Sequence, residues 1–491
     1  MTLLGQLYRS SLALLTDLYQ LTMAYGYWQT GLAQREAVFH LTFRRNPFDG
    51  QFAIACGLRY VVDFLHDLQF TTEDLDYLAR LTSAEGHALF APAFLEFLGE
   101  LELECDVDAV PEGTVVFAQE PLVRVRGPLL QAQLIETPLL NFINFQTLVA
   151  TKAARVCRAA GGQPVLEFGL RRAQGIDGGL AASRAAYVGG CAATSHALAG
   201  KLFGIPVKGT HAHSWVLAHD DELAAFHAYA AVMPDNCLLL VDTYDTIEGV
   251  RHAIQVARKL RDQGHRLLGI RLDSGDFVAL SRQARILLNE AGLSGSAIVA
   301  SGDLDEFRIA HLRQQGAAID VWGVGTRLVT AYDQPALGGV YKLAALRDAR
   351  GLWCYKLKLS DDGTKMSDPG ILQVRRLQAA DGRFLADVIY DELHGCDEPL
   401  RFVPFGTDLP ARSIEASSQT DLLVPVLRSG RPVYTPPDAS VARTRAAEQL
   451  QALDEAVLRL EQPQPYLVGV ERQLQDVKQD LIRRTRASLR A

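Results

Sequence analysis

One rhythm constrains this chain more than any other feature: between about Pro164 and Leu346, short apolar runs alternate with segments long enough to be helices. The runs span 164–168, 205–209, 237–242, 267–273, 297–301 and 319–323, and each is nearly continuous in apolar residues rather than alternating. Strands buried on both faces read this way, and strands separated by helix-length crossovers pair in parallel. The pattern therefore predicts an α/β fold built on a buried parallel sheet. Each run also ends in polar residues or glycine: Glu167 and Arg171, Thr210 and His213, Asp242 and Asp245, Arg271 and Asp273, Ser301 and Asp303, then Gly323 to Thr326. Turns are polar anyway, so one such ending says little. Six in succession, several of them charged, favour an incomplete parallel α/β barrel, whose active face gathers many strand ends. An open doubly wound sheet would concentrate them at one switch point.

The flanking segments read differently. Residues 1–130 suggest an N-terminal α+β domain, with a helical start, a strand-like Ala37–Phe43, helices through 58–98, and strands at Thr114–Phe117 and Leu122–Val125. A helix over 131–161 is expected to join it to the barrel domain of 131–346. The remainder, 347–491, reads as a C-terminal β/helical extension packing on the first two domains, with strands at 352–359, 371–377 and 384–391 and helices over 440–491. Leu450, Leu453, Val457 and Leu460 have coiled-coil-like spacing, but Pro463 and Pro465 stop the pattern after little more than a heptad. A docked amphipathic helix fits better than a zipper.

Composition narrows the function classes. The 491 residues, 48% hydrophobic and 22% charged, suffice for two to four domains or a barrel with additions, and exclude a disordered chain. With 49 Lys+Arg against 57 Asp+Glu the net charge is −8, so no general field attracts nucleic acid or an anionic membrane. A phosphate-bearing ligand must then be held by a few placed cations or backbone amides. Seven cysteines without a C-x-x-C pair fit a reducing compartment. Arg9 precedes an apolar stretch that Asp17 and Gln20 interrupt, which reads as an amphipathic helix rather than a secretory signal. No run approaches the roughly 18 apolar residues of a membrane span, so a soluble cytoplasmic protein is expected.

Several strand ends carry usable chemistry. Gly323-Val324-Gly325-Thr326 ends a run where glycine lets backbone amides close on a phosphate and a hydroxyl adds a donor, although as a bare motif it is often only a turn. Gly338-Gly339 would extend the same cradle, and Ser301, Gly302 and Asp303 end the preceding run. Arg271 and Asp273, two apart on a strand, point to one side, where burial calls for a mutual salt bridge or a ligand. Asp242 and Asp245, with Asp273, are candidates to hold Mg²⁺, while capping of the next helix is an equal reading for Asp245. His211 and His213 form a His-x-His pair with two readings. One is the start of a Zn²⁺ site, as in barrel metallohydrolases; the other makes one histidine a nucleophile or base near phosphate. The zinc reading ranks second, because later strand ends offer Asp273 and Asp303 but no further histidine. Arg171 and Arg172 suit forked binding of a carboxylate or phosphate, with one of them serving a surface role, and Arg44 and Arg45 divide the same way. Tyr19 reads equally as one more aromatic on a buried helical face.

Six segments together carry a specific resemblance: Thr16–Ala24, Phe43–Phe48, Glu167–Gly175, Gly209–Ser214, Arg271–Asp276 and Gly323–Thr326. In order and over about residues 14 to 345, they resemble the nicotinate phosphoribosyltransferase family. The resemblance implies a homodimer with an incomplete barrel and an α+β domain. It implies formation of nicotinate mononucleotide and pyrophosphate from nicotinate and phosphoribosyl pyrophosphate, in NAD salvage, by an ATP-coupled ligase. It further implies Mg²⁺, ATP as co-substrate, and a phosphohistidine at His213, the histidine before the serine, with Arg271 and Asp273 as catalytic partners. Tyr19, Thr210 and Arg271 match positions that contact nicotinate, and Thr326 one that holds the phosphoribosyl substrate. Arg171, Ser214, Asp245, Ser301, Gly302, Asp303 and Gly325 fall among the implied substrate contacts. His211 departs from the family pattern, which has an apolar residue there. A nicotinamide-using phosphoribosyltransferase is the nearest alternative chemistry, against which the segment Phe168–Gly175 argues, and a Zn²⁺ barrel hydrolase is the alternative of another class.

Overall fold

Most of the apolar runs become strands, and they lie side by side. The computed structural model describes residues 10–359, 367–396, 399–405 and 411–489. In it, the strands β1 (Val165–Glu167), β2 (Ala193–Thr194), β3 (Leu238–Leu240), β4 (Gly269–Leu272), β5 (Ala297–Ser301) and β6 (Val321–Val324) form one sheet in the order β2-β1-β6-β5-β4-β3. Every pairing in it is parallel, and the first and fifth apolar runs, β1 and β5, both flank the last strand, β6. The fold is thus mixed α/β with a parallel sheet, as the sequence rhythm requires.

Two strand assignments change. The run 205–209 forms no strand, and Ala193–Thr194 takes the place beside β1. Pro206 has no N–H to donate, and the run meets β2 through only the bridge Thr194–Val207. Among the described residues no ladder joins that edge to β3, so the pairing leaves the sheet open there.

Aspartates set where the crossover helices begin. Asp221, Asp245, Asp276 and Asp305 each precede a helix and accept backbone N–H bonds from its first turn. Such caps satisfy amides that the helix itself leaves open. The capping reading of Asp245 therefore holds.

The chain divides into two compact units: Leu148–Pro335 with Asp438–Ala447, and Met1–Thr147 with Ala336–Pro437 and Glu448–Ala491. The first contains the parallel sheet. In the second, the N-terminal and C-terminal segments are built together rather than as successive domains. Its seven-stranded sheet runs 353–355, 339–347, 36–43, 123–128, 106–109, 424–428 and 431–432, with the late strand Gly339–Arg347 paired along the early strand Glu36–Phe43. A six-stranded sheet and a two-stranded one complete that unit. The expected helix 131–161 is two helices, Leu129–Leu134 and Glu136–Ala159. Pro138 explains the break, since its ring clashes with the carbonyl four residues back. In the tail, Ala439–Gln451 and Arg472–Ser488 are helical and Val468–Glu471 is a strand, while Leu453 and Val457 are buried beyond the first helix's end. No zipper seam continues through them.

Candidate active site

The carboxyl ends of β1, β4, β5 and β6 surround a cavity of about 730 Å³. Its geometry depends on glycine. Gly302 follows β5 at φ +104°, and a Cβ there would lie 2.3 Å from the Asp273 carbonyl oxygen. Only glycine fits that turn. Gly323 in β6 lets the Phe168 ring approach to where a Cβ would meet it at 2.8 Å. Gly325 and Thr326 follow on the cavity wall, and Thr326 opens a short helix.

Cations dominate the lining. Arg171, Arg172, Arg271 and Arg308 face the cavity with Asp273 and Asp303. Arg271 donates from Nη1 to Thr210 Oγ1 at 2.6 Å, whereas its Nε is buried without a partner. Burial lowers the Arg271 pKa, Asp273 and Asp242 oppose that shift, and Arg171 adds repulsion. Asp273 turns to Ser301, whose hydroxyl it accepts, so the carboxylate steadies the β5 end while Arg271 keeps its Nε open. A cleft with surplus guanidinium and a buried unpaired N–H calls for an anion.

Asp242 and Asp273 meet at neighbouring strand ends. Asp242 Oδ2 accepts the Asp273 N–H at 2.9 Å and the Ser274 hydroxyl at 2.8 Å, and its Oδ1 is buried without a hydrogen bond. That orphaned oxygen fits a cation with oxygen ligands, completed by phosphate and water oxygens as Mg²⁺ prefers. Asp245 does not join them, because its carboxylate caps the helix Thr246–Asp262 through Glu248 N–H at 2.9 Å. Among the described residues no group of three His, Cys, Asp or Glu side chains converges to hold a metal, so the zinc reading of the His-x-His pair has no ligand set.

The two histidines have different surroundings. His211 is buried, its Nε2 accepts the Leu240 N–H at 3.2 Å, and its Nδ1 faces the Ala212 carbonyl at 3.3 Å. Its ring packs edge-on to Tyr229. Burial lowers its pKa to about 4, which keeps it neutral. The segment after Val207 is no strand, and His213 opens the short helix His213–Leu217. His213 is half-buried, with Nδ1 3.1 Å from Thr243 Oγ1, and Ser214 beside it is exposed. Neither they nor Asp242 and Asp245 line the cavity, which Thr210, His211 and Ala212 do.

Other expected residues lie in the second unit. Tyr19 stands half-exposed on helix Leu18–Gln29, and Arg44 and Arg45 follow strand Glu36–Phe43. Gly338-Gly339 also belongs there: Gly339 opens strand Gly339–Arg347, where a Cβ would collide with Asn144. Three useful residues escaped sequence reasoning. Arg308 reaches the cavity from the first turn of its helix, and its guanidinium lies 5.3 Å from the Phe277 ring centroid. Thr243 orients His213. Glu167, noted only as a strand ending, is fully buried and accepts from Gly169 N–H, Ser183 and Thr194, which fixes the turn leading to Arg171. A position just past a strand or in a first helical turn was the available signal.

A cleft of this charge and size, walled by glycine turns at parallel strand ends, suits a small anionic ligand such as a phosphate ester, as in the α/β enzymes that bind at their strand ends. Comparison with known proteins narrows the class. Residues 14–144, 165–380 and 372–478 match the N-terminal domain, the family and the C-terminal domain of nicotinate phosphoribosyltransferase. The chain belongs to the nicotinate phosphoribosyltransferase family. It is 42% identical over 467 residues to the nicotinate phosphoribosyltransferase of Bacillus subtilis, covering 94% of this chain and 93% of that one. The human enzyme is 37% identical over 521 residues, covering 94% and 95%. The crystal structure of human nicotinic acid phosphoribosyltransferase superposes with a TM-score of 0.84 at 34% identity, over 95% of this chain and 99% of that one. A nicotinate-nucleotide pyrophosphorylase from Pyrococcus furiosus shares the fold, with a TM-score of 0.66 at 22% identity over 90% and 96%.

Proposed function

We propose that this chain joins nicotinate to the phosphoribosyl group of phosphoribosyl pyrophosphate, forming nicotinate mononucleotide and pyrophosphate in NAD salvage. The observation that carries the reading is Arg271: a half-buried guanidinium at a strand end, with one nitrogen on Thr210 and a buried Nε left open, is suited to a ring carboxylate. Arg171, Gly302, Asp303, Gly325 and Thr326 would hold the phosphoribosyl substrate along the glycine-walled side of the cleft. Tyr19 is carried as the aromatic platform on the family register alone, and Ser214 as a further contact on the same basis.

The chemistry asks little of a base. The pyridine nitrogen is already a nucleophile, and the ribosyl C1′ becomes cation-like as pyrophosphate leaves, so the site must chiefly orient both reactants and stabilise the leaving group. Arginines placed at the strand ends supply that. Mg²⁺, held by Asp242 and Asp273, would neutralise pyrophosphate charge. The reading further takes ATP as co-substrate through a phosphohistidine at His213, a cytoplasmic homodimer as the working form, and the parallel sheet as an incomplete barrel, for which the pairing of β1 with β6 is the support.

The test is an assay with nicotinate, phosphoribosyl pyrophosphate, ATP and Mg²⁺, followed for nicotinate mononucleotide. Nicotinamide should have a kcat/KM lower by on the order of a hundredfold or more, because an amide offers the guanidinium no charge and one acceptor oxygen instead of two. EDTA should abolish the activity and Mg²⁺ restore it. Equal use of both pyridines would defeat the assignment of Arg271, and activity indifferent to chelation would remove the metal role.

A further inference from the structure

Arg308 stands at the rim of the cleft with its charge uncompensated. Resting on the phosphoribosyl-transfer reading, we infer that Arg308 binds the diphosphate group of phosphoribosyl pyrophosphate, the group that leaves. It lies in the first turn of helix Glu306–Gln314, just beyond β5, and lines the cavity with Ser274, Phe277 and Asp303. A cation in a first turn meets the positive end of the helix dipole, so helix formation does not account for it. Burial does not account for it either, because the residue is exposed.

The carboxylates nearest to it in sequence are committed elsewhere. Asp305 Oδ1 accepts the Arg308 backbone N–H at 2.7 Å, and Asp305 Oδ2 pairs with Arg327 at 3.2 Å. Glu306 is buried against Lys152 and Arg155. Among the described residues no carboxylate pairs with the Arg308 guanidinium, and no acceptor is hydrogen-bonded to it. What holds it is the Phe277 ring, whose centroid lies 5.3 Å from the guanidinium carbon. Phe277 is itself buried, so the platform is fixed. A guanidinium held by a ring rather than by an acceptor keeps its N–H groups for a ligand, and their planar fork matches phosphate oxygens.

Its place in the fold selects the diphosphate over the ring carboxylate. Arg271 projects from β4 itself and is tied to Thr210, whereas Arg308 comes from beyond a strand end. Ser274, which lines the cavity with Arg308, donates to the Asp242 carboxylate of the proposed cation site at 2.8 Å. The diphosphate which that cation would neutralise and Arg308 therefore belong to one region of the cleft. In the transfer, the nicotinate nitrogen forms the new bond to C1′ as the C1′–O bond breaks, and the electron pair of the broken bond stays on the diphosphate oxygen. Negative charge on the leaving group thus grows through the step, and a waiting guanidinium gains most when it has grown.

Calorimetric titration of the full chain with pyrophosphate and Mg²⁺ tests the contact without turnover. Arg308→Gln should raise the Kd for pyrophosphate about tenfold, the worth of one charge-assisted hydrogen bond at a solvated rim. Arg308→Lys should fall between, since it keeps the charge but loses the fork. In the transfer assay, Arg308→Gln should lower kcat/KM for phosphoribosyl pyrophosphate by a similar factor, with KM for nicotinate moved by less than about twofold. A pyrophosphate Kd unchanged in Arg308→Gln overturns the inference alone, as does an equal loss for nicotinate or a loss confined to a non-hydrolysable ATP analogue. A wild-type protein that binds no pyrophosphate overturns the phosphoribosyl-transfer reading with it.

Discussion

At Arg271 a half-buried guanidinium stands at a strand end with Nη1 bonded to Thr210 and its buried Nε bonded to nothing in the protein, so a ligand is needed to complete it. Lysine at this position keeps the charge but loses the planar fork. Arg271→Lys should therefore fold normally and lose on the order of a hundredfold in kcat/KM for nicotinate, roughly the worth of one charge-assisted hydrogen bond pair. Steady-state kinetics beside a thermal melt would check this, and near wild-type kinetics would make Arg271 a bystander. The sequence put Arg271 and Asp273 on one side of a strand but left open whether they pair with each other. The structure shows Asp273 engaged by Ser301, a contact between two strand ends that no local spacing reveals. His211 was equally illegible. Its neutrality depends on burial behind β3, and the Leu240 amide it meets is 29 residues away.

At the scale of elements, the rhythm of apolar runs was readable because strands buried on both faces need it. It misled at 205–209, where Pro206 blocks a ladder, and it missed the two-residue strand Ala193–Thr194, too short to leave a pattern. Polar strand endings had mixed meanings: Asp245, Asp276 and Asp305 cap helices, while Arg271 and Ser301 to Asp303 face the cleft. A buried ion network also organises the end of β5 and was not read from the sequence at all. Lys152 and Arg155, on helix Glu136–Ala159, reach Glu306 at 2.6 and 2.9 Å, at the first turn of helix Glu306–Gln314, and all three side chains are buried. Lys152 also pairs with Asp333, so removing it leaves a carboxylate of the network without its cation, which costs about 3–5 kcal/mol. Lys152→Met should lower the unfolding free energy by that amount in urea titrations. A loss under about 1 kcal/mol would mean that Arg155 alone satisfies Glu306.

For the whole molecule, buried titratable groups set the pH range of stability, and they work in opposite directions. Burial, reinforced by Arg124, pushes His40 down to about 3, and burial pushes His211 down to about 4. Both are neutral when folded and charge near pH 6.5 when unfolded. Their stabilising contribution is complete above that pH and is lost as pH falls toward 4 and then 3, by several kcal/mol in total. Glu120 behaves in the opposite sense: burial raises its pKa well above the carboxylate range, and Asp387 beside it raises it further. Arg376 bonds Asp387 rather than Glu120, at 2.9 Å from its Nε. Glu120 thus holds its proton more tightly in the folded state, and its contribution, full below the ordinary carboxylate pKa, is lost as pH rises through its raised one. Melting temperature should fall on both sides of a plateau. His40→Gln, whose amide can still accept the Leu372 N–H that His40 Nε2 accepts at 3.2 Å, should flatten the acid side. Glu120→Gln, which is neutral at every pH, should flatten the alkaline side without moving the acid one. Melting curves from pH 4 to 10 decide the matter, and an alkaline limb identical in Glu120→Gln and wild type would place the loss of stability at another group.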